Sequence, residues 1–129
     1  MIQRFIELGQ GYSDLYELLE VGRNNQHRVL RLLAMHSTFE DKPVTSLAIV
    51  LTPTNPGDFQ PIYMCREGIP NPTITPNKRY DLFNELSSGL EVPIIQLEVK
   101  SSHYFVDKEL YHQYLIGILR LNHLIAPMK

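Results

Sequence analysis

The sequence predicts an α+β domain in which a mixed five-strand sheet with a central antiparallel meander carries three helices, in the order β-α-β-β-β-α-β-α. Three observations lead to this class. The length of 129 residues and the apolar fraction of 43% are typical of one globular domain, so we predict a single domain over residues 1–129. Three short apolar runs follow one another within residues 27–66, which favours a meander. Helical spacing of apolar residues recurs before and after that meander.

The first two elements are a strand and a short helix. Residues 2–8 alternate well enough for a strand that ends at Gly9 and Gly11. Ser13 is predicted to cap the helix, because its hydroxyl can accept a backbone N–H that has no partner within the helix. The apolar stripe that should face the sheet consists of Leu15, Leu18, Leu19 and Gly22.

The next three strands form the meander. Residues 27–36 and 43–51 are too short and too rich in Leu and β-branched residues for confident helices, so a β-hairpin is the better interpretation. Because residues 47–51 are apolar at consecutive positions, both faces of that strand should be covered, which predicts a central place in the sheet. Residues 61–66 predict the third strand, with Pro61 tolerated at its start.

The second half of the chain begins with a proline-rich segment. Six of the nine prolines lie between Pro53 and Pro76, so we expect residues 68–76 to form an extended, ordered surface loop. Thr75 as a cap and Pro76 at the first helical position predict the start of the second helix, which should stop at Gly89. Residues 92–100 then alternate as a strand with one wet face or a free edge.

The last helix, over residues 106–123, is apolar nearly all round. A helix on one sheet usually shows a single apolar stripe with polar residues opposite. We therefore predict that this helix buries a second face against a second copy of the chain in a homodimer. The predicted interface residues are Ile116, Leu119 and Arg120, and Gly117 would allow a close approach of the two helices.

The stretch "FQPIYMCREGIPNP", residues 59–72, holds the only cysteine and is the most tempting candidate for an active-site loop. Arg66 beside Cys65 would favour a reactive thiolate, but adjacent strand residues point to opposite faces. A buried structural thiol is therefore the favoured interpretation. Arg66, Glu67 and Gly68 end the strand as a polar rim. We predict no catalytic residue, and the candidate ligand-binding residues are Cys65, Arg66, Glu67 and Asn71.

Two patterns suggest metal chemistry and fail on placement. Glu98-x-Lys100 resembles the half-signature of restriction-endonuclease-like nucleases, but those enzymes carry it within the meander and not in the strand after the second helix. Glu109 and His112 form a single Glu-x-x-His, whereas di-iron bundles need two such motifs. His27 and His36 would lie on opposite faces of one strand. We predict no metal site and no cofactor, and His112 is interpreted as a surface or interface residue.

Composition excludes several functional classes. The formal charge is -2 and the longest basic run is Lys78-Arg79, so nothing predicts capture of nucleic acid. No apolar run is long enough for a signal peptide or a membrane span, and one cysteine cannot form an internal disulfide, which together predict a cytoplasmic protein. Motifs typical of nucleotide binding, of serine hydrolases and of paired-cysteine zinc sites do not occur in the sequence.

Three stretches, "RFIELGQGYSDLYELLE", "FQPIYMCREGIPNP" and "KELYHQYLIGILRLN", together resemble a family of short uncharacterised proteins of Bacillus-type bacteria, over essentially the whole chain. Some of those relatives carry a methylthioribose kinase label, which we do not transfer because the chain lacks the phosphate- and Mg²⁺-binding parts of a kinase. The leading hypothesis is a non-catalytic binding or interaction module. The alternatives are a small enzyme or ligand-binding domain that uses residues 65–71 and, less favoured, a metal-dependent nuclease.

Overall fold

The computed structural model describes residues 2–8 and 12–127. Short 3-10 turns at Gln26–Arg28 and Ser102–Tyr104 precede the third and the last of the main elements described next. In chain order, the main helices and strands are β1 (Gln3–Glu7), α1 (Tyr12–Asn24), β2 (Val29–Phe39), β3 (Lys42–Leu51), β4 (Gln60–Pro70), α2 (Lys78–Leu90), β5 (Ile94–Glu98) and α3 (Lys108–Leu121). The predicted α+β class and element order are confirmed.

The five strands form one mixed sheet in the order β1-β4-β3-β2-β5. The strands β2, β3 and β4 pair antiparallel as the predicted meander, while β1 joins β4 and β5 joins β2 in parallel. The strand β3 lies at the centre, and all five apolar residues at its end, residues 47–51, are buried. The central place predicted from that consecutive apolar run is confirmed.

Each face of the sheet carries its own hydrophobic core. The helices α1 and α2 cover one face, where Leu18 and Phe83 pack against Leu47 and Ile49 of β3. The helix α3 covers the other face. There Leu115 belongs to a core that includes Ala48 and Val50, the β3 residues that alternate with Leu47 and Ile49. Because successive strand residues point to opposite faces, a strand between two helical layers needs apolar residues at every position.

The helix α1 buries Leu15, Leu18 and Leu19 as its spacing predicts. It crosses α2 closely at Gly22, where an added Cβ would lie 2.8 Å from a methyl group of Leu86. Tyr12, one residue before the predicted cap, already belongs to the helix. The strand end predicted at residues 9 and 11 and the side chain of the predicted cap at residue 13 lie outside the described residues.

The bounds of α2 differ from the prediction at both ends. The helix begins at Lys78 because Asn77, in an extended backbone conformation, accepts the Tyr80 N–H at 2.9 Å and so provides the cap predicted for Thr75. It ends at Leu90, and Glu91 takes the left-handed conformation that closes the helix, with φ of 58°. Gly89, the predicted stop, lies inside the helix.

The strand β4 is longer than predicted and continues through Gly68 to Pro70, so the proline-rich loop begins only at Asn71. His27 lies in the turn Gln26–Arg28 and not in the same strand as His36, which corrects the prediction for that pair. Across the described residues, no helix combines the length and the apolarity that crossing a membrane would require.

Candidate ligand-binding site

A bulge in β4 organises the polar residues at one end of the sheet. Thr45 pairs with Ile69 and Leu47 pairs with Cys65, so one residue of β3, Ser46, faces the three residues 66–68 of β4. The Ser46 hydroxyl accepts the backbone N–H of residue 67 at 2.8 Å and thereby closes the bulge. Such bulges bend a strand and redirect its side chains, and here the redirected side chains are an arginine and a glutamate.

Glu67, at the centre of the bulge, has a left-handed backbone with φ of 49°, which is strained for a residue with a Cβ. Its carboxylate is buried and accepts three hydrogen bonds from the segment that precedes α3. The Ser101 and Ser102 hydroxyls donate at 2.9 and 2.8 Å, and the Ser102 backbone N–H donates at 3.0 Å. Charge-assisted bonds of this kind offset the backbone strain, so Glu67 holds the segment before α3 against the sheet.

Arg66 belongs to a second polar group, between β1, β4 and α3. Its Nε atom lies 3.4 Å from Glu7 Oε1, and Glu7 Oε2 lies 2.6 Å from Nε2 of His112, whose ring stacks on Phe5. Burial works to raise the pKa of Glu7, but the His112 hydrogen bond and the charges of Arg66 and Lys108 outweigh burial and lower it below its usual value. Glu7 is therefore an ionised partner shared by an arginine and a histidine.

A cavity of about 410 Å³ opens between this polar group and the start of α3. We call it the Arg66 cavity, and its walls include Arg66, Ser102, Phe105, Val106, Lys108 and Tyr111. Strand β4 supplies the arginine through the bulge, and the remaining walls come from the turn before α3 and from the first turn of that helix.

Tyr111 and Arg66 line this cavity, and each carries a buried polar atom. Tyr111 is 1% exposed, and among the described residues neither its hydroxyl nor the Nε of Arg66 has a hydrogen-bond partner in acceptable geometry. Burial raises the pKa of Tyr111, and the nearby Ser46 hydroxyl opposes that rise without reaching full hydrogen-bond geometry. Buried polar atoms in folded proteins are nearly always hydrogen-bonded, so two that lack a hydrogen bond in residues of one cavity wall are informative.

Ser101, His103 and Glu67 have the composition of a hydrolase triad but not its geometry. A triad places serine and carboxylate on opposite nitrogens of the imidazole ring. Here Ser101 Oγ lies 2.9 Å and Glu67 Oε1 3.8 Å from the same atom, His103 Nδ1. Ser101 is also buried, and the His103 ring stacks on Phe39. This group is a structural support for the turn before α3.

The structure separates the four predicted ligand-binding residues. Cys65 packs in the core under α1, on the other face of β4 from the cavity, and its thiol donates to the Asp14 carbonyl at 3.2 Å. Burial, with the nearby acidic residues of α1, raises the pKa of Cys65 to about 12. Asn71 is buried and accepts hydrogen bonds from Thr73 in the proline-rich loop. Only Arg66 lines the cavity, while Glu67 supports it.

The residues that sequence reasoning missed lie on or before α3. Tyr111 follows the same helical spacing as Leu115 and Leu119, so the sequence marks it as a core aromatic and does not reveal that its hydroxyl reaches a cavity. Ser102 and Lys108 carry no motif that distinguishes them from ordinary cap and surface residues. His112, interpreted as a surface or interface residue, lies partly buried against Glu7.

The predicted dimer residues of α3 face their own chain. Leu119 is fully buried in the core, Ile116 packs against that core, and Arg120 donates to the side chain of Gln3. Leu119 is therefore not free to contact a second copy, which corrects its predicted place. The exposed apolar residues of this helix are Leu110 and Leu121.

The two sequence patterns that suggested metal chemistry lie on different elements of the fold. Glu98 ends β5, at one edge of the sheet, and Lys100 follows it, while Glu109 projects from the exposed side of the first turn of α3. Within residues 2–8 and 12–127, no group of three His, Cys, Asp or Glu side chains is arranged to hold a metal ion.

The fold and site define a small α+β domain with a polar cavity beside a strand bulge. The chain belongs to the family described as Domain of unknown function (DUF7147), whose family model matches residues 1–125. This match confirms the prediction of an uncharacterised family. Neither a curated protein nor a solved structure matches the chain.

Proposed function

We propose that this protein is a non-catalytic binding module whose ligand site is the Arg66 cavity. The observation that carries the proposal is the Tyr111 hydroxyl, which has no hydrogen-bond partner among the described residues, beside Arg66, whose Nε has an ion pair with Glu7 but no hydrogen bond. An unsatisfied buried polar group costs about 1–3 kcal/mol of stability. A ligand that pairs with both groups would recover that free energy on binding.

The surroundings of the cavity support binding more than catalysis. The thiol of Cys65, the obvious nucleophile, faces the opposite core with a raised pKa. Ser101 is buried and bonded to Glu67. The bulge, the Glu67 hydrogen bonds and the Glu7 ion pairs hold the wall in one geometry, which is the preorganisation that a binding site needs.

A fragment screen by two-dimensional NMR on the full chain tests the proposal. We expect fragments to shift the backbone amides of Arg66, Ser102 and Tyr111. Val106 lines the cavity and is 93% exposed, so Val106→Trp should fill the mouth and abolish those shifts. The matched control Ile74→Trp places the same side chain at a 63% exposed position of the proline-rich loop and should leave the shifts unchanged. A screen in which no fragment perturbs the cavity amides would contradict the proposal.

A second copy of the chain is a second candidate partner. Leu121 is 76% exposed and Leu110 is 46% exposed on α3, and the position of Gly117 between them has open space around it. We propose a homodimer through this outward stripe. Light scattering at micromolar concentration should report the mass of two chains for the wild type and of one chain for Leu121→Asp. A wild-type mass of one chain would end the dimer proposal.

A further inference from the structure

We propose that the ligand of the Arg66 cavity carries an oxyanion, a carboxylate or a phosphate, that lies between the Arg66 guanidinium and the Tyr111 hydroxyl. This inference rests on the proposed function and goes on to name the chemical class of the ligand. It follows from hydrogen-bond direction, charge and size.

Hydrogen-bond direction selects an acceptor. The Nε of arginine can only donate, and a tyrosine hydroxyl beside a cation donates best to an oxygen that bears negative charge. Both side chains line the cavity, and within the described part of the chain neither the Tyr111 hydroxyl nor Arg66 Nε makes a hydrogen bond, although Nε has its ion pair with Glu7. One oxyanion can accept from both, whereas an ammonium group has no lone pair and cannot accept from the arginine.

The charges around the cavity leave Arg66 only partly compensated. Its partner Glu7 makes its short contact with His112 at 2.6 Å and lies 3.4 Å from Arg66 Nε without hydrogen-bond geometry. Glu67 is negative but has both carboxylate oxygens bonded to Ser101 and Ser102.

The start of α3 adds positive charge on the other side. Lys108 lines the cavity at the first residue of this 14-residue helix, where the helix dipole also favours an anion. Asp107 lines the cavity as well and opposes an anion, but its Oδ1 atom accepts the Leu110 N–H at 2.9 Å as the helix cap. The cavity wall therefore carries two cations and the helix end against one lining carboxylate, while Glu67 and Glu7 lie behind the wall and are engaged by Ser101, Ser102 and His112.

Size and lining indicate more than a bare ion. A volume of about 410 Å³ is within the range of small-molecule sites, and Phe105 and Val106 provide apolar wall next to the polar groups. The expected ligand is a small organic acid or phosphate ester whose apolar part lies against those two residues.

Benzoate and phenyl phosphate are the probes, and benzamide is the neutral control of the same shape as benzoate. Titrations followed by NMR on the full chain, at constant ionic strength in chloride, should show the two anions binding at the cavity amides and benzamide binding about tenfold more weakly or not at all. Tighter binding of phenyl phosphate assigns the phosphate class, and tighter binding of benzoate assigns the carboxylate class.

Two variants test the assigned groups. Tyr111→Phe should weaken anion binding about tenfold, yet leave the free protein as stable as the wild type or more stable, because it removes an unpaired buried hydroxyl. A purely structural tyrosine would show the opposite, a loss of stability with unchanged affinity. Arg66→Gln should abolish the preference for benzoate over benzamide. If Arg66→Gln does not fold, Tyr111→Phe and the benzamide comparison decide.

The outcomes separate this inference from the proposed function. Benzamide or other neutral fragments that bind the cavity as tightly as the anions would overturn the oxyanion and leave the binding module standing. If neither anions nor neutral fragments bind at the cavity, the oxyanion inference and the binding-module proposal are both overturned.

Discussion

The thiol of Cys65 should react with alkylating reagents only when the protein unfolds. The perturbation is the addition of iodoacetamide to the native protein and, in parallel, to protein unfolded in urea. Cys65 is 5% exposed and its thiol donates to the Asp14 carbonyl, so both access and ionisation are restricted in the folded state. Because the chain has a single cysteine, every modified molecule reports on this position, and Cys65→Ser provides the unreactive control.

The expected ratio of rates follows from the pKa. The thiolate is the reactive form, and burial raises the pKa of Cys65 from 9.0 to about 12. At pH 8 the thiolate is then about a thousandfold less populated in the native protein than in the unfolded chain. The native rate should therefore be slower by about three powers of ten.

Mass spectrometry of samples quenched over time measures both rates. A native rate within about tenfold of the unfolded rate would show a thiol that is open to solvent or ionised, and would refute the structural role argued above. That result would also return residues 65–71 to consideration as an active-site loop.

Two further predictions concern packing and pH. Gly22→Ala should lower the free energy of unfolding, because the added Cβ would lie 2.8 Å from one side-chain methyl and 3.2 Å from another. Overpacking of this kind costs about 1–3 kcal/mol, against a gain in helix propensity of about 1 kcal/mol. Gly89→Ala, with nothing within 4 Å, should instead stabilise by about 0.5–1 kcal/mol, and equal urea midpoints for the two variants would contradict this reasoning. Glu7→Gln should be less stable than the wild type at pH 7, and the difference should shrink as pH falls below 4.5, because a carboxyl whose pKa is lowered by folding stabilises only while ionised. Urea unfolding at pH 7 and at pH 3.5 checks the sign, and a difference that is the same at both pH values would count against the lowered pKa.

Local patterns in the sequence determined the α+β class, the element order and the burial of the main apolar residues. The central place of β3 was predictable because residues 47–51 are apolar at every position, which only a strand covered on both faces requires. The stripe of α1 and the burial of Cys65 were predictable for the same reason, since periodicity and residue type act over a few neighbouring positions.

Tertiary structure decided the bulge and the cavity. No local signal marks Glu67 for a left-handed backbone, because the strain is accepted only where Ser46, Ser101 and Ser102 arrive from other elements to satisfy it. Arg66 and Tyr111 come from a strand and a helix that are distant in sequence, and each alone has an ordinary interpretation as a polar rim residue or a core aromatic.

The coverage of α3 was also decided by tertiary structure. The sequence indicated correctly that one sheet face is too little for a helix that is apolar nearly all round. It did not indicate that the chain turns back after the helix and packs Leu124 and Ile125 into the same core, with Phe105 adding cover from before the helix. Much of the burial assigned to a second copy is therefore provided within the chain, because segments without apolar periodicity of their own can still pack against a helix once the fold brings them there.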